Sequence, residues 1–120
     1  RTKRAEVVLA EEWARELDGT GVTATSMHPG WVDTAGVRDS LPTFRRITGP
    51  FLRNEAEGAD TIVWLMASDE AATANGAFYH DRKPRPTHRM KKTVEEPALR
   101  ERFMDHMASD ASRWLEPSET

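Results

Sequence analysis

The sequence contains no cysteine, which excludes disulfide bonds, thiolate metal sites and a cysteine nucleophile. It has no apolar run near the ~20 residues that a membrane-spanning helix needs, and no signal-peptide core follows the basic residues 1–4. The net charge is only -3, so charge alone does not predict a polyanionic partner. These absences favour a reducing compartment, and we expect a cytoplasmic protein with no membrane span.

The chain of 120 residues is also short of apolar residues, at 38%, and it has no initiator methionine. It begins inside a helical pattern, and only two segments have a strand pattern. Two strands cannot form an independent doubly wound sheet, because each strand needs neighbours and two covered faces. We therefore expect part of a larger α/β domain.

Helix and strand patterns alternate along the chain. Apolar residues spaced four apart predict a first helix over 4–18, and small and β-branched residues predict a strand over 22–27. A second helix is predicted over 55–67. Asn54 can cap this helix, and Glu57, three residues on, can complete a capping box. The next strand is predicted over 76–79 and the last helix over 95–115.

Two long connecting segments lack a clear period. The first, 35–53, contains two glycines and two prolines and is predicted as a loop with a short helix over 43–47. The second, 81–92, is rich in lysine and arginine and is predicted as neither helix nor strand. Its basic charge could bind phosphates or nucleic acid, but no aromatic residues are interleaved for base stacking. A solvated loop is the favoured interpretation, and no nucleic-acid partner is expected.

The most informative stretch follows the first predicted strand. Pro29-Gly30 ends that strand, and Thr34 supplies a hydroxyl four residues after the glycine. A Pro-Gly pair alone predicts only a turn. The carboxyl ends of strands, however, are where open α/β sheets bind their ligands. His28 is interpreted as ending the strand, because no partner ligands lie at useful spacing, and no metal site is predicted.

Lys3, taken alone, indicates a solvated start to the first helix. Lys3 is followed by a Gly-rich stop at 19–21, a strand and the stretch 29–34. This order and spacing resemble those of the short-chain dehydrogenase/reductase family. There a helix carries Tyr-x-x-x-Lys, and a later strand is followed by Pro-Gly-x-(Val/Ile)-x-Thr. Glu57-Gly58-Ala59 and the stretch 75–81 resemble later parts of the same fold, in the branch near retinol dehydrogenases.

The resemblance implies the C-terminal part of a Rossmann-type doubly wound parallel sheet, incomplete as given. On that basis residues 1–83 belong to the NAD(P)-binding domain. Residues 84–94 are a basic, proline-containing linker, and residues 95–116 form a C-terminal helix. The missing N-terminal half of the domain is then an expected partner, and the family's habit of pairing implies a homo-oligomer.

The resemblance also implies an oxidoreductase that uses NAD or NADP to interconvert an alcohol and a carbonyl by hydride transfer. Lys3 matches the active-site lysine, which lowers the pKa of the tyrosine and hydrogen-bonds the nicotinamide ribose. The implied cofactor-binding residues are Lys3, Pro29, Gly30, Val32 and Thr34. The residues assigned to the substrate, which could be lipid-like, are Trp31, Leu41 and Phe44.

The matching tyrosine would lie two residues before Arg1, so the isolated chain is expected to be inactive. A non-enzymatic interaction or dimerisation piece is the alternative. Tyr79-His80-Asp81-Arg82-Lys83 also spells Tyr-x-x-x-Lys, but Pro84 disfavours helix at Lys83, so Tyr79 is not expected to be catalytic. The sequence leaves the substrate, the reaction direction and the choice of NAD or NADP open.

Overall fold

A computed structural model describes residues 2–40, 43, 46, 48–88, 90 and 93–115. The chain divides into two compact units, Arg1–Thr87 and His88–Thr120. The first unit is α/β and contains a small three-stranded mixed sheet. The second contains a helix. The prediction that 84–94 is a linker stays a prediction.

The described helices are α1 (Thr2–Glu16), α2 (Ala35–Ser40), α3 (Glu55–Ala67) and α4 (Pro97–Leu115), with 3-10 turns at Gly49–Phe51 and Ala71–Thr73. The strands are β1 (Ser26–Met27), β2 (Phe78–His80) and β3 (Lys83–Arg85). The predicted long helices are therefore present, with ends shifted by two residues or fewer. Thr43 and Arg46, the described residues of the predicted short helix, are helical.

The predicted capping box at the start of α3 is confirmed. The Asn54 side chain accepts a hydrogen bond from the Glu57 amide at 2.9 Å, and the Glu57 carboxylate accepts one from the Asn54 amide at 2.9 Å. These two bonds satisfy amides that the first turn of a helix leaves without partners. A local sequence signal is therefore sufficient to fix where α3 begins.

β1 and β2 pair in parallel, with Ser26 opposite Phe78. Beyond the strands themselves, the Gly76 amide donates to Ala24 O at 2.8 Å and the His28 amide donates to Tyr79 O at 2.9 Å. The strand predicted over 22–27 is shorter in the structure because this ladder begins only at Ala24. Its last bond reaches the residue just before Pro29, which fixes the place where the turn begins.

The prediction that 81–92 contains no strand is wrong, and so is the count of two strands. Lys83–Arg85 pairs antiparallel with β2 through a two-residue turn in which Asp81 and Arg82 have φ of 56° and 55°. Positive φ at both positions is typical of a type I′ hairpin. Pro84 lies opposite Tyr79, one pair beyond the turn, where an antiparallel ladder forms no hydrogen bonds. The missing proline N–H therefore costs nothing there. The strands also confirm that Tyr79 and Lys83 do not share a helix.

The helix α2 corrects the prediction of a loop over 35–53. The Thr34 hydroxyl accepts from the Val37 amide at 3.4 Å, the bond made by a residue that caps a helix. Gly36, near the start of this helix, concealed the pattern because glycine is a poor helix former. The cap places the predicted cofactor hydroxyl at the start of a helix rather than within a loop.

The core of the first unit is small. Its buried apolar residues are Val8, Ala10, Ala14, Ala71 and Tyr79. Large side chains on α1 and α3 stay exposed, among them Trp13, Val63 and Met66. In the second unit α4 has no buried residues. None of the described helices combines the length and apolar character needed to cross a membrane.

Candidate functional site

An open groove of about 350 Å³ lies against the turn that follows β1. We call it the turn groove, and the residues that line it are Pro29, Gly30, Trp31, Val32, Thr34, Val37 and Leu52. Five of these were predicted from sequence as cofactor or substrate residues. Val37 and Leu52 were not, and they add two apolar side chains to the wall. Both belong to the segment 35–53, whose sequence has no clear hydrophobic period and so did not indicate which of its residues face the site.

The turn begins with a bond between neighbours. The Gly30 amide donates to His28 Nδ1 at 2.9 Å, which requires that this ring nitrogen carry no proton. Gly30 has φ of 81°, a backbone conformation that residues other than glycine rarely adopt. A bend follows at Trp31, directly after this glycine. His28 ends the strand, as predicted, and also holds the turn that follows.

Val32 forms an isolated parallel bridge with Arg53. The Arg53 amide donates to Trp31 O at 2.8 Å, and Arg53 O accepts from the Asp33 amide at 2.8 Å. This pattern uses the groups on either side of Val32, so the main-chain groups of Val32 itself point away from Arg53. Its carbonyl accepts from the Thr34 amide at 2.9 Å, and none of the described residues accepts from its N–H. That N–H is available to a ligand.

The side chain of Val32 packs against a glycine of α3. A Cβ placed on Gly58 would lie 2.6 Å from Val32 Cγ2, closer than real Cβ contacts allow. Gly58 is therefore the residue that lets α3 approach the turn. This contact gives a physical reason for a glycine in the first half of a helix, where it is otherwise unfavourable.

Thr34 lies on the exposed side of the turn. Its oxygen accepts from the Val37 amide, so its own O–H remains able to donate to a ligand. Trp31 lines the turn groove with 61% of its surface exposed. Leu41 and Phe44, the other predicted substrate residues, lie outside the described residues.

Lys3 does not line the turn groove. Its ammonium lies 2.7 Å and 3.0 Å from the two carboxylate oxygens of Glu6, and its side chain is 88% exposed. The structure therefore brings together the predicted residues of 29–34 but does not bring Lys3 to them. The catalytic role of Lys3 stays a prediction.

Two ion pairs extend from the hairpin turn in different directions. The Asp81 carboxylate accepts two bonds from the Arg53 guanidinium, at 2.5 Å and 3.0 Å. The Arg82 guanidinium pairs with the Asp60 carboxylate on α3, at 2.7 Å through Nε. Sequence reasoning missed both pairs. The family pattern included Asp81, but nothing in the sequence indicated Arg53 as its partner 28 residues away.

These hydrogen bonds lower the pKa of Asp81 and of Asp60, because each carboxylate is more stable when charged beside its guanidinium. A folded-state pKa below the unfolded value means that both pairs stabilise the fold at neutral pH. That contribution begins to fall below about pH 4 and is lost as pH drops through the lowered pKa values. Within the described ranges, no group of three or more His, Asp or Glu side chains could hold a metal ion.

The chain is similar to known proteins over much of its length. Dehydrogenase/reductase SDR family member 12 of Bos taurus is 44% identical over 116 residues, which cover 95% of this chain and 36% of that protein. The Homo sapiens protein of the same name is 48% identical over 89 residues, covering 73% and 27%. Retinol dehydrogenase 12 of Bos taurus is 35% identical over 99 residues, covering 78% and 31%.

The chain thus spans about a third of the length of these curated relatives. No protein-family model matches the chain. No solved structure matches it either.

Proposed function

Because the chain belongs to the short-chain dehydrogenase/reductase family, we propose that it is part of an NAD(P)-dependent oxidoreductase interconverting an alcohol and a carbonyl. The observation that carries the proposal is the turn groove. It is lined by Pro29, Gly30, Val32 and Thr34, four of the five residues that the family resemblance assigns to the cofactor, while the fifth, Lys3, does not line it. The full-length protein, in this proposal, also carries the remaining strands of a doubly wound parallel sheet.

The groups in the turn groove suit a nicotinamide. Its carboxamide has one acceptor and two donor hydrogens, and the Val32 N–H and the Thr34 O–H can both donate to the acceptor side. Gly30 brings the main chain close to the ligand without a side chain, while Val37 and Leu52 offer apolar contacts to a ring face. A bound nicotinamide supplies the carbon that gives or accepts the hydride.

In the proposed enzyme Lys3 is the active-site lysine that the family resemblance assigns. Its bond with Glu6 is exposed, and such ion pairs are weak enough to be exchanged for another partner. A tyrosine two residues before Arg1 would share a helix face with Lys3, since residues four apart are neighbours. The ammonium would then lower the pKa of the phenol and allow it to hold or release a proton near neutral pH.

The substrate is proposed to be a lipid-like small molecule that carries an alcohol or a carbonyl group. Trp31 presents a large exposed ring at the groove, and Leu41 and Phe44 belong to the segment that follows. The isolated 120 residues are proposed to be inactive, because the matching tyrosine and the Gly-rich dinucleotide turn are not part of them.

The alternative is a non-enzymatic interaction piece, and exposed apolar side chains on α1 and α3 are compatible with it. Val63 and Met66 on α3 are 57% and 83% exposed, and Trp13 on α1 is 48% exposed. Contiguous exposed apolar patches mark interaction surfaces, whereas single exposed apolar residues are ordinary. The missing half of the domain or a second subunit could cover them in an enzyme as well, so exposure alone does not separate the two proposals.

Cofactor binding separates them. In the full-length protein we expect Thr34→Ala to weaken binding of NADH or NADPH about five- to tenfold, the effect of losing one hydrogen bond. Thr34→Ser keeps both the hydroxyl and the helix cap and should bind like the wild type. Titration of nicotinamide fluorescence measures both. A wild-type protein that binds neither dinucleotide would exclude the enzyme and favour the interaction piece.

A further inference from the structure

The side chain of Arg53 contacts two residues of the turn groove, Pro29 and Gly30, without lining the groove itself. Its Nη1 donates to Pro29 O at 3.3 Å, and three of its guanidinium atoms lie 3.0 Å from the place where a Cβ on Gly30 would be. Arg53 is not among the residues that line the turn groove. A planar guanidinium thus lies against the back of the Pro29-Gly30 peptide while the groove opens elsewhere.

The main chain of Arg53 holds the same turn one residue further on. Its amide and carbonyl bond to Trp31 and Asp33, on either side of Val32. Side chain and main chain of one residue therefore fix the chain from Pro29 to Asp33. A change in the direction of the Arg53 side chain would release its bond to Pro29 O and its packing on Gly30, and both of these residues line the groove.

Asp81 sets the direction of that side chain. Its carboxylate takes two parallel bonds from the guanidinium, a geometry that restricts both the distance and the plane of the pair. Asp81 itself is fixed because it begins the two-residue turn between β2 and β3. The parallel ladder holds the hairpin to β1, and this fixes the position of the Asp81 carboxylate relative to the turn that follows β1.

We propose that Arg53 and Asp81 are positioning residues for the nicotinamide end of the cofactor: the bidentate pair fixes the shape of the Pro29–Thr34 turn. This inference rests on the proposed function. Neither residue touches the cofactor in this scheme. Asp81 acts through Arg53, and Arg53 acts through the backbone that it holds.

The neighbouring pair supplies a matched control. Arg82 follows Asp81 in the same turn and also forms a bidentate bond with a carboxylate, but that of Asp60 on α3. Asp60 lies near Asp81 and Arg53, but among the described residues no hydrogen bond or ion pair joins the Asp60–Arg82 pair to the Pro29–Thr34 turn. The Arg82 amide also donates to Thr61 Oγ1 at 3.2 Å, so the hairpin keeps a bond to α3 when Asp60 is changed.

The experiment compares Asp81→Asn with Asp60→Asn in the full-length protein. Each change removes one charge and keeps the shape of the side chain, and asparagine tolerates the positive φ of position 81. Affinity is measured for NADPH or NADH and separately for ADP-ribose, which lacks the nicotinamide. We expect Asp81→Asn to weaken the complete dinucleotide about tenfold, because small misplacements of binding groups are costly.

ADP-ribose affinity should stay within about twofold for both variants, because ADP-ribose lacks the nicotinamide that the turn is proposed to hold. NADPH affinity of Asp60→Asn should stay within about twofold as well, because no described hydrogen bond joins Asp60 to the turn. Arg53→Lys should lie between wild type and Asp81→Asn, since an ammonium keeps the charge but not the paired bonds. A general loss of folding would lower both affinities together. The ratio of the two affinities therefore reports the turn alone.

The outcomes distinguish this inference from the proposed function. A wild-type protein that binds no dinucleotide overturns the proposed function. A wild-type protein that binds NADPH, with an unchanged ratio of the two affinities in Asp81→Asn, overturns the positioning role of Asp81 and leaves the proposed function standing.

Discussion

The Pro29–Thr34 turn and the start of α1 at Lys3 carry the two parts of the proposed site, and the chain organises them differently. The turn is held by residues far away in sequence: Arg53 by hydrogen bonds and Gly58 by contact with Val32. Within the part of the chain that the structure describes, the Lys3 side chain is bonded only to Glu6, one turn along its own helix.

These residues therefore build the turn by themselves, but not the surroundings of Lys3. Groups fixed by several long-range contacts lie ready for a ligand before it binds, which reduces the cost of ordering them. An exposed lysine with one local partner needs further residues to aim it. We therefore expect substitutions at the turn to change the free energy of unfolding. We expect substitution of Lys3 to change turnover and leave stability almost unaltered.

The largest effect on folding should come from Gly58, because its contact with Val32 holds the turn to α3. In Gly58→Val the new side chain meets Val32, whose branched Cβ leaves it little freedom to move. We expect the free energy of unfolding to fall by about 2–3 kcal/mol, the usual cost of overpacking. Urea unfolding of the full-length protein measures it.

Gly36→Val is the control for this change. Gly36 is also helical, but the nearest atom to a Cβ there is Thr34 Oγ1 at 3.9 Å. Its stability should change by less than about 0.5 kcal/mol, since valine and glycine differ little in helix propensity. Equal losses in both variants would show that the contact with Val32 does not hold the turn.

An intermediate effect is expected at Gly30. Gly30 and Gly21 both have φ of 81°, so alanine at either position adopts an unfavourable backbone conformation, at about 1–2 kcal/mol. A Cβ on Gly21 meets nothing within 4 Å, whereas one on Gly30 presses on the Arg53 guanidinium at 3.0 Å. Gly30→Ala should therefore lose about 1 kcal/mol more than Gly21→Ala.

Thermal unfolding of the two alanine variants measures this difference. It should disappear when both are made in an Arg53→Ala background, because the crowding group is then gone. If the difference persists there, the packing of Arg53 against Gly30 is not what limits the turn.

The two regions also differ in what their sequence could predict. The motif at 29–34 is recognisable from its resemblance to a family pattern, and the cap of α3 from Asn54 and Glu57, because both depend on neighbours in sequence. The bond between Arg53 and Asp81 was not found, since it joins residues brought together only by the parallel ladder and the hairpin. β3 was missed because proline normally argues against a strand, and only the pairing register shows that Pro84 needs no N–H.

The smallest effect on folding is expected at Lys3, and it tests most directly whether Lys3 differs from the Pro29–Thr34 turn. Lys3→Met should change the free energy of unfolding by less than about 0.5 kcal/mol, because the pair with Glu6 is exposed. In the full-length protein the same change should lower turnover by about a hundredfold or more, since the general acid loses the charge that tunes it. Arg15→Met is the control: Arg15 lies on the same helix and pairs with Glu12 three residues away, with 64% of its side chain exposed. Its loss should affect stability as little and leave turnover unchanged. Wild-type turnover in Lys3→Met, measured by nicotinamide absorbance, would remove Lys3 from the active site and leave the Pro29–Thr34 turn as this chain's part of it.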